Sequence, residues 1–96
     1  MHYQLIIISH NQLLIKNIKN INEQVKLIDD CHILYKEETI SFDYLIFTDN
    51  SLVLNKKEIG ILTENFIPVT NYEKQTSIEN IYYCNEDDVN EILNNL

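Results

Sequence analysis

The chain opens with a continuous apolar run that ends in a short polar segment, and this pattern constrains the fold most. The run from Leu5 to Ile8 lies inside a predicted strand, residues 3–9, and an unbroken apolar strand is typical of a sheet covered on both faces. Leucines and isoleucines then recur at helical spacing over residues 11–22, and residues 24–29 alternate as a second strand. Strand, helix and strand with short connections predict a right-handed βαβ unit whose two strands pair in parallel.

The rest of the chain predicts more strands and a second helix. Further strands are predicted at residues 31–35, 39–47, 66–69 and 80–84, the first two of them joined by a tight polar turn. Pro68 cannot donate to a strand ladder and favours an edge position. Residues 51–64 predict a short helix or an ordered loop, and residues 87–96 a helix whose acidic first turn suits the helix dipole. The expected fold is α/β, with a small sheet, a parallel centre, a β-hairpin or meander insertion and two to three helices.

Composition limits both the size of the fold and its partners. The 96 residues are 45% apolar, which predicts one folded domain over residues 1–96. The chain contains no arginine, so no bidentate guanidinium can hold a phosphate. The net charge is −8, made up of +2 over residues 1–28 and −10 over residues 29–96. Such a field repels DNA and RNA, so direct nucleic-acid binding is not expected, whereas a basic protein partner would be attracted.

The cysteines and the apolar runs bear on the compartment. Cys31 and Cys84 are far apart in the chain and form no Cys-x-x-Cys motif. Without a secretory signal, they favour the reducing cytoplasm, where buried inert thiols are the default and a redox-sensing pair is the alternative. The run from Leu5 to Ile8 is far too short to span a bilayer, and no membrane association is expected.

Two stretches of the chain resemble a known enzyme family. They are ETISFDYLIFTDNS, residues 38–51, and NFIPVTNYEKQTSIENIYYCNED, residues 65–87. Both resemble segments of the FAD-dependent pyridine nucleotide–disulfide oxidoreductases, especially thioredoxin reductases, and the run Gln-Thr-Ser-Ile at residues 75–78 is the most specific part. The resemblance implies a truncated Rossmann-like domain of the FAD- or NAD(P)-binding type, in a chain much shorter than a member of that family.

The positions that would contact a cofactor depart from the family. The three glycines of its dinucleotide-binding loop fall on Ser9, Asn11 and Leu14, although they serve the tight turn, the approach to pyrophosphate and helix–sheet packing. The glycine at the end of the family pattern in the first stretch falls on Asn50, and the Gly-Asp pair that holds the flavin falls on Asn85-Glu86. The family's redox Cys-x-x-Cys is absent. These replacements predict a scaffold that has lost cofactor binding.

Asp29 lies at the distance from the loop at which the family has an acidic residue. Asp29 follows Ser9 by 20 residues, where the resemblance implies a contact with the adenosine ribose, and a purely structural acid is the alternative. His10 lies in the turn and is interpreted as a turn histidine, because no His or Cys pair has metal-ligand spacing. No metal site and no catalytic residue is predicted. A retained cofactor site would comprise Ser9, His10, Asn11, Asp29, Asn85 and Glu86.

Three functions remain open from the sequence. The first is a non-catalytic protein-interaction or regulatory protein with no cofactor and an unidentified protein partner. A homodimer is a further option if the sheet leaves apolar area uncovered. The second is a redox protein that binds FAD or NAD(P) weakly. The third is an acidic decoy that occupies the basic surface of a nucleic-acid-binding protein.

Overall fold

The computed structural model describes residues 1–12 and 17–96, whose regular secondary structure is mainly β-strand. In chain order the strands are β1 His2–Ile8, β2 Lys19–Ile21, β3 Val25–Leu27, β4 His32–Tyr35, β5 Glu38–Phe47, β6 Val53–Leu54, β7 Thr63–Glu64, β8 Ile67–Pro68 and β9 Ile81–Tyr83. Helix α1, Val89–Asn94, ends the fold, and two 3₁₀ turns occur at Asn50–Leu52 and Glu86–Asp88.

Strands β1 and β5 form the centre of a seven-stranded mixed sheet. They pair in parallel from His2 opposite Ser41 to Ile8 opposite Phe47. β2 extends the sheet in parallel beyond β1, and β9 pairs in parallel with the last three residues of β5. The first half of β5 instead pairs with β4 in antiparallel orientation, and β4 pairs in the same way with β3. β6 pairs in parallel with β3 and lies at the far edge. The predicted parallel centre with an inserted meander is therefore confirmed.

The predicted βαβ unit is wrong in its pairing. The parallel neighbours of β1 are β5 and β2, and β2 lies inside the segment predicted to be helical, whereas β3 belongs to the meander. Ile18 packs against one core and Ile21 against the other, so these two residues do not share the single stripe that a helix would bury. The part of the predicted helix at residues 13–16, which includes Leu14, lies outside the described residues.

The fold is α/β but less helical than predicted. The described residues contain one short α-helix, α1, where two to three helices were expected. Residues 51–64, predicted to be a short helix or an ordered loop, hold a loop at residues 55–62, preceded by part of a 3₁₀ turn and β6 and followed by β7. Gly60 has a φ of +100° in that loop, a conformation that a side chain would strain. No helix in the described part of the chain has the length and apolar character needed to cross a membrane.

Two apolar cores lie on opposite faces of the sheet. Alternation along β1 sends Ile6 and Ile8 into the larger core and Leu5 and Ile7 into the smaller one. The larger core contains side chains from the meander, from β5 and from the loop at Ile61. Helix α1 covers the smaller core with two buried side chains, Val89 and Ile92, which lie three residues apart on one helix face.

Candidate functional sites

The carboxyl ends of four parallel strands meet at one edge of the sheet. β1, β2, β5 and β9 all end there, and ligands of open α/β sheets bind beyond such an edge. Backbone hydrogen bonds continue past the strands: the amide of Ser9 donates to Ile21 at 3.1 Å, and the amide of Thr48 donates to Ile8 at 3.0 Å. These bonds fix the chain just where the sequence places a cofactor loop.

Polar side chains contact one another across this edge. The Asn11 amide donates to the Glu86 carboxylate, and Nε2 of His10 contacts the Asp49 carboxylate. The hydroxyl of buried Ser9 donates to the backbone oxygen of Asn11. Four residues of the predicted site, Ser9, His10, Asn11 and Glu86, are therefore brought together. Asp49 was missed, although its position two residues after the buried end of β5 was the signal that could have identified it.

Asp49 is also the cap of a 3₁₀ turn. Its carboxylate accepts hydrogen bonds from the amide of Ser51 at 2.7 Å and from the Ser51 hydroxyl at 2.6 Å. These bonds, and then the bond to His10, hold the pKa of the Asp49 carboxyl below its usual range. The edge thus presents two acids, Asp49 and Glu86, toward the turn after β1.

Asp29 lies away from the other predicted site residues. Asp29 follows β3, whose last residue, Leu27, is level with Ile40 near the start of β5. Ser9 follows β1, whose last residue, Ile8, is level with Phe47 at the end of β5. The predicted grouping of Asp29 with Ser9 is therefore wrong, because β3 is a strand of the meander and does not pair with β1. Asn85 is exposed and precedes the 3₁₀ turn Glu86–Asp88, where its backbone oxygen accepts from the amide of Asp88 at 3.0 Å.

The turn between β3 and β4 groups Asp29 with two other chemically active side chains. Nδ1 of His32 lies 2.8 Å and 3.0 Å from the two carboxylate oxygens of Asp29, and 3.2 Å from Sγ of Cys31. The amide of Cys31 donates to Asp29, and this bond is the first cause of a lowered pKa of the Asp29 carboxyl. Desolvation, then the hydrogen bond and charge of Asp29, raises the pKa of the Cys31 thiol to about 11. The thiol is protonated near neutral pH and is a weak nucleophile.

The two cysteines do not form a redox pair. The carbonyl of Cys31 accepts from the amide of Phe42, while the amide of Cys84 donates to Phe47. Phe42 and Phe47 are five residues apart on β5, which separates the two cysteines by about 16 Å along the strand. A disulfide requires Cα atoms within about 7 Å of each other. Both thiols are free, and burial raises the pKa of the buried Cys84 thiol to about 11.

An exposed apolar surface lies on the hairpin formed by β7 and β8. Thr63 pairs with Pro68, and the amide of Val69 donates to Leu62, so Leu62 lies opposite Val69. Strand alternation places Ile67 on the same face as Val69. We call this surface the hairpin patch; it comprises the exposed side chains of Leu62, Phe66, Ile67 and Val69. The edge position predicted for Pro68 is confirmed, since β8 belongs to this separate two-stranded sheet.

Phe66 occupies an unusual position at the tip of the hairpin. Asn65 and Phe66 have φ angles of 51° and 68°, as the two central residues of a type I′ turn require. Glycine is preferred at the second of these positions, and a bulky side chain with positive φ is an outlier. The Phe66 side chain is nevertheless 87% exposed, and the side chain of Asn50 donates to its backbone oxygen.

Comparisons with known proteins add no family to these observations. The chain matches no protein-family model, no curated protein and no solved structure. The likeness to the disulfide reductases therefore stays a prediction based on residues 38–51 and 65–87. The hairpin patch, the strand ends and the turn after β3 are the features that bear on function.

Proposed function

We propose that this chain is a non-catalytic protein-interaction or regulatory protein that binds a protein partner through the hairpin patch. The observation that carries the proposal is Phe66, which is 87% exposed in a left-handed backbone conformation. An aromatic ring in water and a strained backbone both cost free energy. Strained residues cluster at functional sites, and buried aromatic side chains dominate many interfaces. A partner that buries Phe66 would offset both costs.

The charge of the chain indicates the chemistry of the partner. A net charge of −8 opposes the close approach of a second copy, because like charges repel across an interface. A protein with an apolar pocket and a basic rim fits the chain better, since the pocket receives Phe66 and the rim complements the acidic surface. The alternative is a homodimer, and a measurement of the mass of the purified protein in solution distinguishes it from a monomer that binds another protein.

The carboxyl edge of the sheet supports a role without a cofactor. A pyrophosphate held against the turn after β1 would meet the carboxylates of Asp49 and Glu86, and the Asn11 side chain is already bonded to Glu86. A degenerate reductase-like, Rossmann-like scaffold accounts for both the strand order and these side chains. The convergence of four parallel strand ends favours the second candidate, weak FAD or NAD(P) binding. Free Cys31 and Cys84 suit the reducing cytoplasm, where we place the protein.

The substitution Phe66→Gly separates binding from folding. Glycine tolerates the positive φ at this position, so we expect the free energy of unfolding to stay level or rise by up to about 1 kcal/mol. The aromatic ring is lost at the same time. Glu37→Gly is the matched control, because Glu37 has a φ of 66° at the second position of the turn between β4 and β5. Urea unfolding of both variants measures the effect on stability.

Binding is then compared among three tagged proteins in lysate of the source cells. We expect the wild type and Glu37→Gly to retain the same protein, and Phe66→Gly to lose it. Sedimentation of the purified protein shows whether two copies of the chain associate with each other instead of with a partner. Retention of the same proteins by Phe66→Gly, or loss with both variants, contradicts binding through the hairpin patch.

A further inference from the structure

Three unlike side chains converge in the turn between β3 and β4. The carboxylate of Asp29, the thiol of Cys31 and the imidazole of His32 each offer a ligand atom, and these atoms lie within 4.8 Å of one another. The nitrogen of His32 contacts both of the other groups. About half of the Asp29 side chain (48%) and a smaller part of the His32 side chain (38%) are exposed, so an ion can reach the group from solvent.

The backbone holds this turn in place before any ion arrives. The amide of Ile28 donates to the backbone oxygen of His32 at 3.0 Å, closing the end of the hairpin. The amide of Phe42 donates to the backbone oxygen of Cys31 at 2.9 Å. The side chain of Asn80 donates to the backbone oxygen of Asp30, also at 2.9 Å. These two bonds tie the turn to β5 and to the residue before β9. A ligand set held by its surroundings loses little conformational entropy when it binds an ion.

The distances suit a small tetrahedral ion. Zinc binds thiolate sulfur, imidazole nitrogen and carboxylate oxygen at about 2.0–2.3 Å, which places tetrahedral ligand atoms roughly 3.3–3.7 Å apart. The nitrogen of His32 lies 2.8 Å from the nearer oxygen of Asp29 and 3.2 Å from the sulfur of Cys31. Each of these two separations is within roughly half an ångström of the tetrahedral spacing, and the sulfur of Cys31 and an oxygen of Asp29 lie within 4.8 Å of each other. Calcium and magnesium are disfavoured, because they prefer oxygen ligands alone.

We propose that Asp29, Cys31 and His32 form a zinc site with a fourth position open to water. Zinc displaces the thiol proton of Cys31 to solvent as the sulfur becomes a ligand. Three protein ligands with one open position are the arrangement of zinc sites that exchange a ligand. The site lies in the turn between β3 and β4, so its presence is independent of binding through the hairpin patch.

Cobalt and zinc titrations test the site on the whole chain. Co²⁺ reports thiolate coordination by a sulfur-to-metal charge-transfer absorption, which we expect with the wild type and not with Cys31→Ser. Calorimetry should show one Zn²⁺ per chain. We expect Asp29→Asn and His32→Gln to weaken zinc affinity by at least about tenfold, since even outer-shell changes have effects of that size.

Two substitutions elsewhere serve as controls for the type of residue removed. Cys84→Ala removes the other thiol and His10→Gln removes an exposed imidazole, and both should bind zinc like the wild type. Circular dichroism checks that each variant folds; if Cys31→Ser does not fold, His32→Gln and Asp29→Asn decide the question. The absence of a charge-transfer band in the wild type, or equal zinc affinity in wild type, His32→Gln and Asp29→Asn, overturns the proposal.

Discussion

Asp49 shows how a single carboxylate can stabilise two neighbouring segments. It caps the 3₁₀ turn at Asn50–Leu52 through the amide and hydroxyl of Ser51, and it contacts His10 in the turn after β1. Because these groups favour the charged form, the pKa of Asp49 is lower in the folded chain than its ordinary value of 3.8. The resulting stability is present above that ordinary value and is lost as the pH falls through the lower, folded value.

The substitution Asp49→Asn tests this contribution. Asparagine keeps a capping oxygen but not the charge, so we expect the free energy of unfolding at pH 7 to fall by about 1 kcal/mol. As the pH falls below 3.8 and then through the lower, folded pKa of Asp49, wild type and variant should converge, because the wild-type carboxyl becomes protonated. Urea unfolding across the acid range measures both effects. Asp87→Asn, at an exposed acid, is the control; an Asp49→Asn deficit that persists undiminished at low pH contradicts the role of the charge.

Sequence reasoning located the carboxyl-edge residues better than it located Asp29. Ser9, His10 and Asn11 follow a strand whose burial is evident from its isoleucines, so their place at a strand end could be predicted. Asp29 could not be placed in the same way, because its position depends on which strand β3 pairs with. Cys31 and His32 are adjacent in the chain, but their approach to Asp29 depends on the conformation of the turn.

Among the elements, α1 depends most on packing. A helix of six residues is too short to be stable alone, so its structure relies on burying Val89 and Ile92 against the smaller core. The sequence predicted a longer helix at residues 87–96, and its first residues form part of the 3₁₀ turn Glu86–Asp88 instead. Acidic residues at this start suit either type of helix, so composition alone could not set the boundary.

The substitution Ile92→Ala tests the docking of α1. Ile92 is buried, and its truncation leaves a cavity between the helix and the sheet, so we expect a loss of about 2–4 kcal/mol in the free energy of unfolding. Leu96→Ala removes a similar side chain that is 44% exposed, and its cost should stay below about 1 kcal/mol. Urea unfolding measures both. Equal costs for the two variants would mean that α1 is not packed as described.

At the scale of the whole molecule, the chain is acidic and two carboxylates lie at the polar edge of the sheet. The net charge of −8 and the carboxylates of Asp49 and Glu86 both oppose a bound pyrophosphate. The same charge would attract a basic partner, and added salt shortens the range of that attraction. Cofactor binding and charge-driven binding therefore make different predictions for the intact chain.

Nucleotide titration distinguishes the interaction protein from the weak redox protein. We expect no thermal shift with FAD, NADH or NADPH at millimolar concentration, and no flavin absorbance in the purified chain. A protein that binds only in its folded state would gain stability with ligand concentration. Glu86→Gln is an informative companion, because removal of the carboxylate should reveal any residual site. A ligand-dependent shift in the wild type would favour the FAD- or NAD(P)-binding alternative.

Salt distinguishes the interaction protein from the acidic decoy. Binding through the hairpin patch buries apolar area and should persist at high salt, whereas a decoy held by charge should dissociate. The protein retained by the wild type is washed with increasing salt, and Phe66→Gly is compared at each step. Complete release at moderate salt, with no effect of Phe66→Gly, would favour the decoy.

The sequence by itself determined the local features of this protein. Apolar runs and alternation identified β1, β4, β5 and β9, and the polar residues between them identified the turn of the meander, because burial and turn formation leave local patterns. The tertiary structure alone decided that β2 rather than β3 pairs with β1. It also placed Asp29 beside Cys31 and His32 and left Phe66 exposed on a strained turn. Strand pairing depends on residues far apart in the chain, and the approach of Asp29 to Cys31 and His32 depends on the conformation of one turn. No local periodicity records either of them.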